Sequence, residues 1–119
     1  MEFYIVGSAL SKKEPRDVDM FGVMDDGLFK ALFFMTADEF QEQRRGSGGK
    51  PWSPGLNKWK EQTLGAIRVL QHVFPQLVPL DFKFLPESLL QEPCKKIDLT
   101  TSPESWNIGF PNLRNHLKP

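Results

Sequence analysis

Three aspartates border apolar segments in a pattern that suits metal-dependent phosphoryl chemistry. Asp17 and Asp19 open the apolar run that continues to Met24, and Asp81 lies inside a second apolar run. Side chains two residues apart in a strand point to the same face, about 6.6 Å apart, so the carboxylates of Asp17 and Asp19 should lie together. Carboxylates crowded in this way repel one another unless a cation neutralises them.

A group of neighbouring carboxylates of this kind indicates a binding site for a divalent cation. Magnesium takes carboxylate oxygens together with substrate phosphates, and two ions about 3.5–4 Å apart stabilise phosphoryl transfer. If the two acid-bearing strands are neighbours, Asp17, Asp19 and Asp81 form one site for magnesium or manganese. The carboxylate of Asp81 would then also lie near the attacking hydroxyl and could accept its proton.

A glycine-serine turn precedes the acids and suits phosphate binding. Gly7 and Ser8 follow the apolar run from Phe3 to Val6, which reads as the end of a strand. Glycine lets backbone approach a triphosphate closely, while a serine hydroxyl and neighbouring amides can donate hydrogen bonds to phosphate oxygens. We therefore predict that Gly7 and Ser8 bind the phosphates of a nucleotide.

Four basic residues lie beside these motifs. Lys12, Lys13 and Arg16 lie in the polar loop between the turn and the acids, where they either counter phosphate charge or simply keep the loop solvated. Lys83 lies two residues from Asp81 and should face the same way. It either forms an ion pair with Asp81 or contacts a phosphate, and the sequence leaves both alternatives open.

Taken together, these motifs resemble the polymerase-beta-like nucleotidyltransferase superfamily, especially its minimal stand-alone phage and bacterial members. The resemblance covers about residues 2 to 90. It implies that Gly7 and Ser8 hold the phosphates of a nucleoside triphosphate such as ATP, that Asp17 and Asp19 bind both metal ions, and that Asp81 binds the catalytic one. It also implies transfer of a nucleoside monophosphate to a hydroxyl, with release of pyrophosphate.

Other functions stay open at this point. The chain could be a catalytically inactive module of the same fold that binds a nucleotide or a protein, in phage biology or in a toxin-antitoxin pair. It could also be a structural protein in which Asp81 pairs with Lys83 or Arg68 and the other acids cap a strand. The acceptor could be RNA, a protein hydroxyl or a small molecule, and the oligomeric state is undetermined.

Length and composition limit the classes of protein. A length of 119 residues predicts one domain. The chain has 15 basic and 15 acidic residues, so its net charge does not attract nucleic acid. The single cysteine, Cys94, favours a reducing cytoplasm. No apolar run reaches the roughly 18 residues of a spanning helix, and Met1 and Glu2 do not begin a charged-then-apolar leader. We expect a cytoplasmic protein with no membrane contact.

Periodicity predicts the elements that position the acids. We expect strands over residues 2–8, 17–24 and 77–85. Pro79 means that the last strand either lies at an edge of the sheet or begins at Leu80. A helix capped by Asp26 is expected over residues 28–33, with a hairpin strand as the alternative. Thr36 and Glu39 form a capping box for a helix to Arg45. The longest helix is expected over residues 57–74, and its apolar stripe comprises Trp59, Thr63, Ala66, Ile67, Leu70, Val73 and Phe74.

These elements predict an α/β fold in which a small mixed β-sheet has helices packed on one face and the acids on the other. Residues 1–90 are expected to form the core and residues 91–119 a largely irregular extension, with one short strand near 96–99. The stretch 46–51 is predicted to be a flexible connector, because Pro51 stands where a phosphate loop needs Ser or Thr. Arg44, Arg45 and Lys50 could cover a nucleotide as a lid, with Trp52 stacked on its base.

Overall fold

The computed structural model describes residues 1–45 and 53–112. Its four strands are β1 (Glu2–Val6), β2 (Val18–Met24), β3 (Leu80–Pro86) and β4 (Cys94–Ile97). They form one sheet in the spatial order β3-β2-β1-β4, in which β1 is antiparallel to both of its neighbours and β2 is parallel to β3. The prediction of an α/β fold with a small mixed sheet is confirmed. Both readings of Pro79 were right, since β3 begins at Leu80 and lies at an edge.

Three helices pack against this sheet: α1 (Asp26–Phe33), α2 (Ala37–Arg45) and α3 (Pro54–Val73). The segment after β2 is a helix and not the alternative hairpin strand. Its cap is Asp25, whose side chain accepts a hydrogen bond from the amide of Leu28, so the prediction of an Asp26 cap was wrong. Asp26 instead accepts a hydrogen bond from the amide of Ser88 at 3.0 Å, which ties α1 to the end of β3.

Side-chain caps also fix where the other two helices begin. The predicted capping box of α2 is confirmed: the amide of Glu39 donates to Thr36 Oγ1 at 3.2 Å, and the amide of Thr36 donates to Glu39 Oε1 at 3.3 Å. Helix α3 begins three residues before the predicted start, because Ser53 Oγ accepts from the amide of Leu56 and Pro54 occupies the first turn. A serine followed by proline is a sequence signal for such a start.

Helix α3 covers one face of the sheet. Strand alternation turns Ile5, Met20 and Phe82 toward that face, where all three are buried, and Ala66, Ile67 and Leu70 of α3 pack against the same cluster. Val73 was predicted to belong to this stripe and does not, because it is 57% exposed at the last residue of the helix. A second cluster at one end of the sheet joins the three helices through Phe29, Phe33, Phe40, Leu56 and Trp59.

The chain after β3 crosses the other face of the sheet, since β3 and β4 lie at opposite edges. Leu89 and Leu90 on this crossing segment pack against the second cluster, as Tyr4 and Phe21 of the sheet also do. Trp106 is then buried against the sheet and donates hydrogen bonds from Nε1 to the carbonyl of Asp98 and to Thr101 Oγ1. Residues 94–106 therefore complete both the sheet and the core.

Some predictions concern residues outside the described ranges. These are the connector at 46–51 with Lys50, the stacking role of Trp52, and the basic tail at 114–119. In residues 1–45 and 53–112, no helix is both long and apolar enough to cross a membrane.

Candidate functional site

Two of the three aspartates, Asp19 and Asp81, lie side by side on the face of the sheet that α3 leaves uncovered, and the third lies just before β2. Asp19 on β2 is the register partner of Asp81 on the parallel strand β3, and Asp17 immediately precedes β2. The neighbours Val18 and Leu80 are buried in the cluster beneath α3, so strand alternation turns Asp19 and Asp81 to the opposite face. The register thus provides the strand adjacency on which the sequence argument depended.

Electrostatics shows that the acids affect one another. Burial raises the pKa of the Asp19 carboxyl above its ordinary value, and the negative charges of Asp17 and Asp81 raise it further. The positive charge of Lys83 acts in the opposite direction. Both other aspartates therefore disfavour the charged form of Asp19, and a cation placed beside it would relieve that repulsion.

The glycine turn lies directly against Asp19. Gly7 has a φ of +74°, and a Cβ built on it would lie 2.7 Å from Asp19 Oδ2. The predicted first strand ends at Val6 instead of Ser8, because Gly7–Leu10 forms a 3-10 turn. Only glycine combines this backbone conformation with so close an approach to the carboxylate. The backbone of Gly7 and the carboxylate of Asp19 therefore lie side by side in one site.

Ser8 occupies the second position of this turn and is half-buried. Its carbonyl accepts hydrogen bonds from the amides of Ser11 at 3.1 Å and Lys12 at 2.9 Å. Its hydroxyl has no hydrogen-bond partner among residues 1–45 and 53–112. The hydroxyl is therefore available to a ligand that approaches the acids.

The basic loop that follows is held by the C-terminal part of the chain. Lys12, Lys13 and Arg16 are exposed, and none has a carboxylate in ion-pair distance in the described part of the chain. The amide of Gly109 donates to the carbonyl of Ala9 at 2.8 Å, and a Cβ on Gly109 would lie 1.8 Å from the carbonyl oxygen of Lys12.

Sequence reasoning missed this contact. Gly109 lies in a stretch without periodicity, and nothing in the sequence links it to the loop at residues 9–16. The amide of Phe110 donates to the carbonyl of Lys13 at 3.2 Å, so two successive backbone groups fasten the loop. The loop was expected to be a polar surface turn, yet Ala9 and Pro15 within it are buried.

Lys83 forms the ion pair that was one of its two predicted roles. Its Nζ lies 3.0 Å from Asp81 Oδ2, and the two side chains are 29% and 46% exposed. A pair this exposed contributes about 0–1 kcal/mol, so a competing cation can replace it at small cost. The phosphate-binding role of Lys83 stays a prediction.

The side-chain types of the three acids suit a hard cation, but their arrangement in this structure is not yet that of a metal site. Asp19 and Asp81, with Asp17 just before β2, offer the carboxylate oxygens that magnesium prefers. Across residues 1–45 and 53–112, however, no three His, Cys, Asp or Glu side chains lie close enough together to hold a metal. The ammonium of Lys83 neutralises Asp81 in this arrangement. Binding of magnesium would therefore require Asp81 to exchange Lys83 for the ion.

The chain was compared with protein-family models, curated proteins and solved structures. No protein-family model, no curated protein and no solved structure matches the chain. The functional argument therefore depends on the site itself: the register of β2 and β3, the raised pKa of Asp19, and the contact between Gly7 and the Asp19 carboxylate.

Proposed function

We propose that this protein is a metal-dependent nucleotidyltransferase, which moves a nucleoside monophosphate from a nucleoside triphosphate to a hydroxyl acceptor. The observation that carries the proposal is the pairing of Asp19 with Asp81 across β2 and β3, with the backbone of Gly7 against the Asp19 carboxylate. That arrangement sets ligands for a cation beside a turn that can receive phosphates.

In this proposal the acids hold the ions and manage the proton. Magnesium or manganese, held by Asp17, Asp19 and Asp81, supplies charge neutralisation at the reacting phosphorus. The acceptor oxygen forms a bond to the α-phosphorus, the bond from that phosphorus to the bridging oxygen breaks, and pyrophosphate leaves. Asp81 accepts the proton of the attacking hydroxyl, because its side chain is 46% exposed and it lies on the edge strand of the sheet, where an acceptor can approach.

The remaining predicted residues bind the triphosphate. The backbone of Gly7 approaches the phosphate oxygens, the hydroxyl of Ser8 donates hydrogen bonds to them, and Lys12, Lys13 and Arg16 neutralise their charge. The hydrogen bonds from Gly109 and Phe110 hold the backbone of the loop that carries Lys12 and Lys13 before the ligand arrives. Preorganisation of this kind lowers the entropic cost of binding.

Pyrophosphate release tests the proposal. The four nucleoside triphosphates are incubated with magnesium or manganese and with RNA, protein and small-molecule hydroxyl acceptors. We expect Asp17→Asn and Asp19→Asn to abolish release while the circular dichroism spectrum is unchanged, and Asp38→Asn, on the exposed side of α2, to keep full activity. Wild-type turnover by both site variants would contradict the assigned roles.

A second candidate is a catalytically inactive module that binds a nucleotide or a protein, as in phage biology or a toxin-antitoxin pair. The ion pair between Lys83 and Asp81 favours it, because that pair occupies the third metal ligand. Calorimetric titration with triphosphates, with and without magnesium, separates the two. Binding without pyrophosphate release across the whole acceptor screen supports the module, whereas magnesium-dependent binding followed by release supports the enzyme.

A cytoplasmic location belongs to the same proposal. The one cysteine, Cys94, is unpaired and half-buried, which suits a reducing compartment that also holds nucleoside triphosphates and magnesium.

A further inference from the structure

A cavity of about 330 Å³ opens beside β3, at the opposite end of that strand from Asp81. Its floor is apolar and consists of Phe40, Leu85 and Leu89. Its rim is polar, with Arg44 and Arg45 from the last turn of α2 and the amides of Gln41 and Gln91. A volume of this size, with an apolar floor and a few polar groups, is typical of a small-molecule site.

The two arginines give the cavity a fixed positive charge. The guanidinium of Arg44 lies 5.1 Å from the ring centroid of Trp59 and 5.5 Å from that of Phe40, so two aromatic faces hold it in place. Both arginines are exposed, and neither has an ion-pair partner in the part of the chain that the structure describes. The C-terminus of α2 carries a partial negative charge of about half a unit from the helix dipole. The two guanidinium charges outweigh it, so the local charge remains positive.

A line of side chains connects this cavity with the acidic site. Asp81, Lys83 and Leu85 alternate along β3 and therefore share one face. Asp81 and Leu85 are four residues apart, which is about 13 Å along a strand. Lys83 lies midway, so a ligand that spans the two ends passes a further positive charge.

We propose that the cavity binds a nucleotide of a single-stranded nucleic acid, and that this strand is the hydroxyl acceptor. The inference rests on the proposed nucleotidyltransferase function. Guanidinium groups bind phosphate oxygens in a bidentate way, an apolar floor accommodates a base or a sugar, and the amides of Gln41 and Gln91 can meet the polar edge of a base. A distance of about 13 Å corresponds to about four stacked nucleotides, so the end of the strand reaches Asp81.

The chain as a whole has no net charge, so attraction for a polyanion must come from a local group such as this one. A nucleic-acid contact through guanidinium groups has a defined signature: affinity falls with salt, by about 0.7 logarithmic units per logarithmic unit of salt for each phosphate contact on a single strand. Loss of one arginine should therefore lower both the affinity and this slope.

Fluorescence anisotropy of labelled oligonucleotides tests the inference. Twelve-nucleotide single-stranded RNA and DNA are titrated with the full chain in EDTA, at several salt concentrations, so that the result does not depend on metal binding or turnover. The variants are Arg45→Gln, which removes an exposed charge, and Arg44→Lys, which keeps the charge and loses the planar contact with Trp59. The matched control is Arg68→Gln, since Arg68 is an exposed arginine on the outer side of α3.

We expect wild-type protein to bind at least one of the two oligonucleotides, and Arg45→Gln to weaken that binding roughly 5-fold or more and to lower the salt slope by about 0.7. Arg44→Lys should weaken it as well, and Arg68→Gln should bind like wild type. No binding to either oligonucleotide, wild-type binding by Arg45→Gln, or an equal loss in Arg68→Gln would overturn the inference.

The two proposals can fail separately. If Arg45→Gln binds oligonucleotide like wild type while Asp19→Asn abolishes pyrophosphate release, the cavity assignment fails and the enzymatic function stands. If arginine-dependent binding is found and no triphosphate is ever cleaved, the nucleic-acid site stands and its role as an acceptor site fails.

Discussion

Substitution of Gly7 by alanine measures how closely the phosphate turn approaches Asp19. At a φ of +74° a side chain costs roughly 1–2 kcal/mol in the left-handed region. The new Cβ would also lie 2.7 Å from Asp19 Oδ2, so the carboxylate must leave its rotamer, at about 0.5–1.5 kcal/mol. Gly7→Ala should therefore lower the free energy of unfolding by roughly 1.5–3.5 kcal/mol.

A double-mutant cycle separates these two contributions. In an Asp19→Ala background the carboxylate is absent, so Gly7→Ala should cost only the conformational part, and the coupling energy should be about 0.5–1.5 kcal/mol. Urea unfolding of the four proteins gives the values. Gly65→Ala is the matched control: a Cβ there meets nothing within 4 Å, and the change should stabilise α3 by about 0.5–1 kcal/mol. The same cost for Gly7→Ala in both backgrounds would refute the contact.

Three further substitutions test the electrostatics and the support of the site. Burial and the neighbouring acids raise the pKa of Asp19, so the contribution of this one carboxyl to stability is fully present below its unfolded-state pKa and is lost as pH rises through the raised value. Asp19→Asn avoids that loss, so it should be the more stable protein at pH 7 and should match wild type in acid; equal urea midpoints at pH 7 would contradict this. Lys83→Gln frees Asp81 from its ion pair and should tighten binding of magnesium alone in calorimetry, whereas unchanged affinity would show that the pair does not compete. Gly109→Ala would place a Cβ 1.8 Å from the carbonyl oxygen of Lys12, so it should detach the basic loop, lower the thermal midpoint by several degrees and weaken triphosphate binding, and a wild-type midpoint would refute the proposed clamp.

The fold was predictable where the signal is local. The capping box of Thr36 and Glu39 needs only four consecutive residues, and the first two strands were predictable as short apolar runs bounded by turn residues. The stripe of α3 predicted its buried face, with an error at Val73 because a helix end packs less than its middle. The choice of Asp25 over Asp26 as a cap could not be read locally, since Asp26 is held by Ser88.

The sequence predicted the residues of the candidate site, but it did not predict the backbone contacts that hold them in position. Asp17, Asp19, Gly7 and Ser8 are close in sequence, so their spacing is informative. The parallel pairing of β2 and β3 places Asp81 beside Asp19 and joins segments that are distant in sequence. The sequence therefore predicted a shared site only on the condition that these two strands are neighbours. The backbone contacts from Gly109 to the basic loop leave no side-chain pattern at all, because they depend on the absence of a Cβ.

A crystal soaked with magnesium and a non-hydrolysable nucleoside triphosphate tests the central claim most directly. We predict a cation about 2.0–2.1 Å from carboxylate oxygens of Asp17 and Asp19, with the phosphates against Gly7 and Ser8 and with Lys83 displaced from Asp81. A triphosphate bound elsewhere, or a cation that contacts none of the three aspartates, would contradict the account.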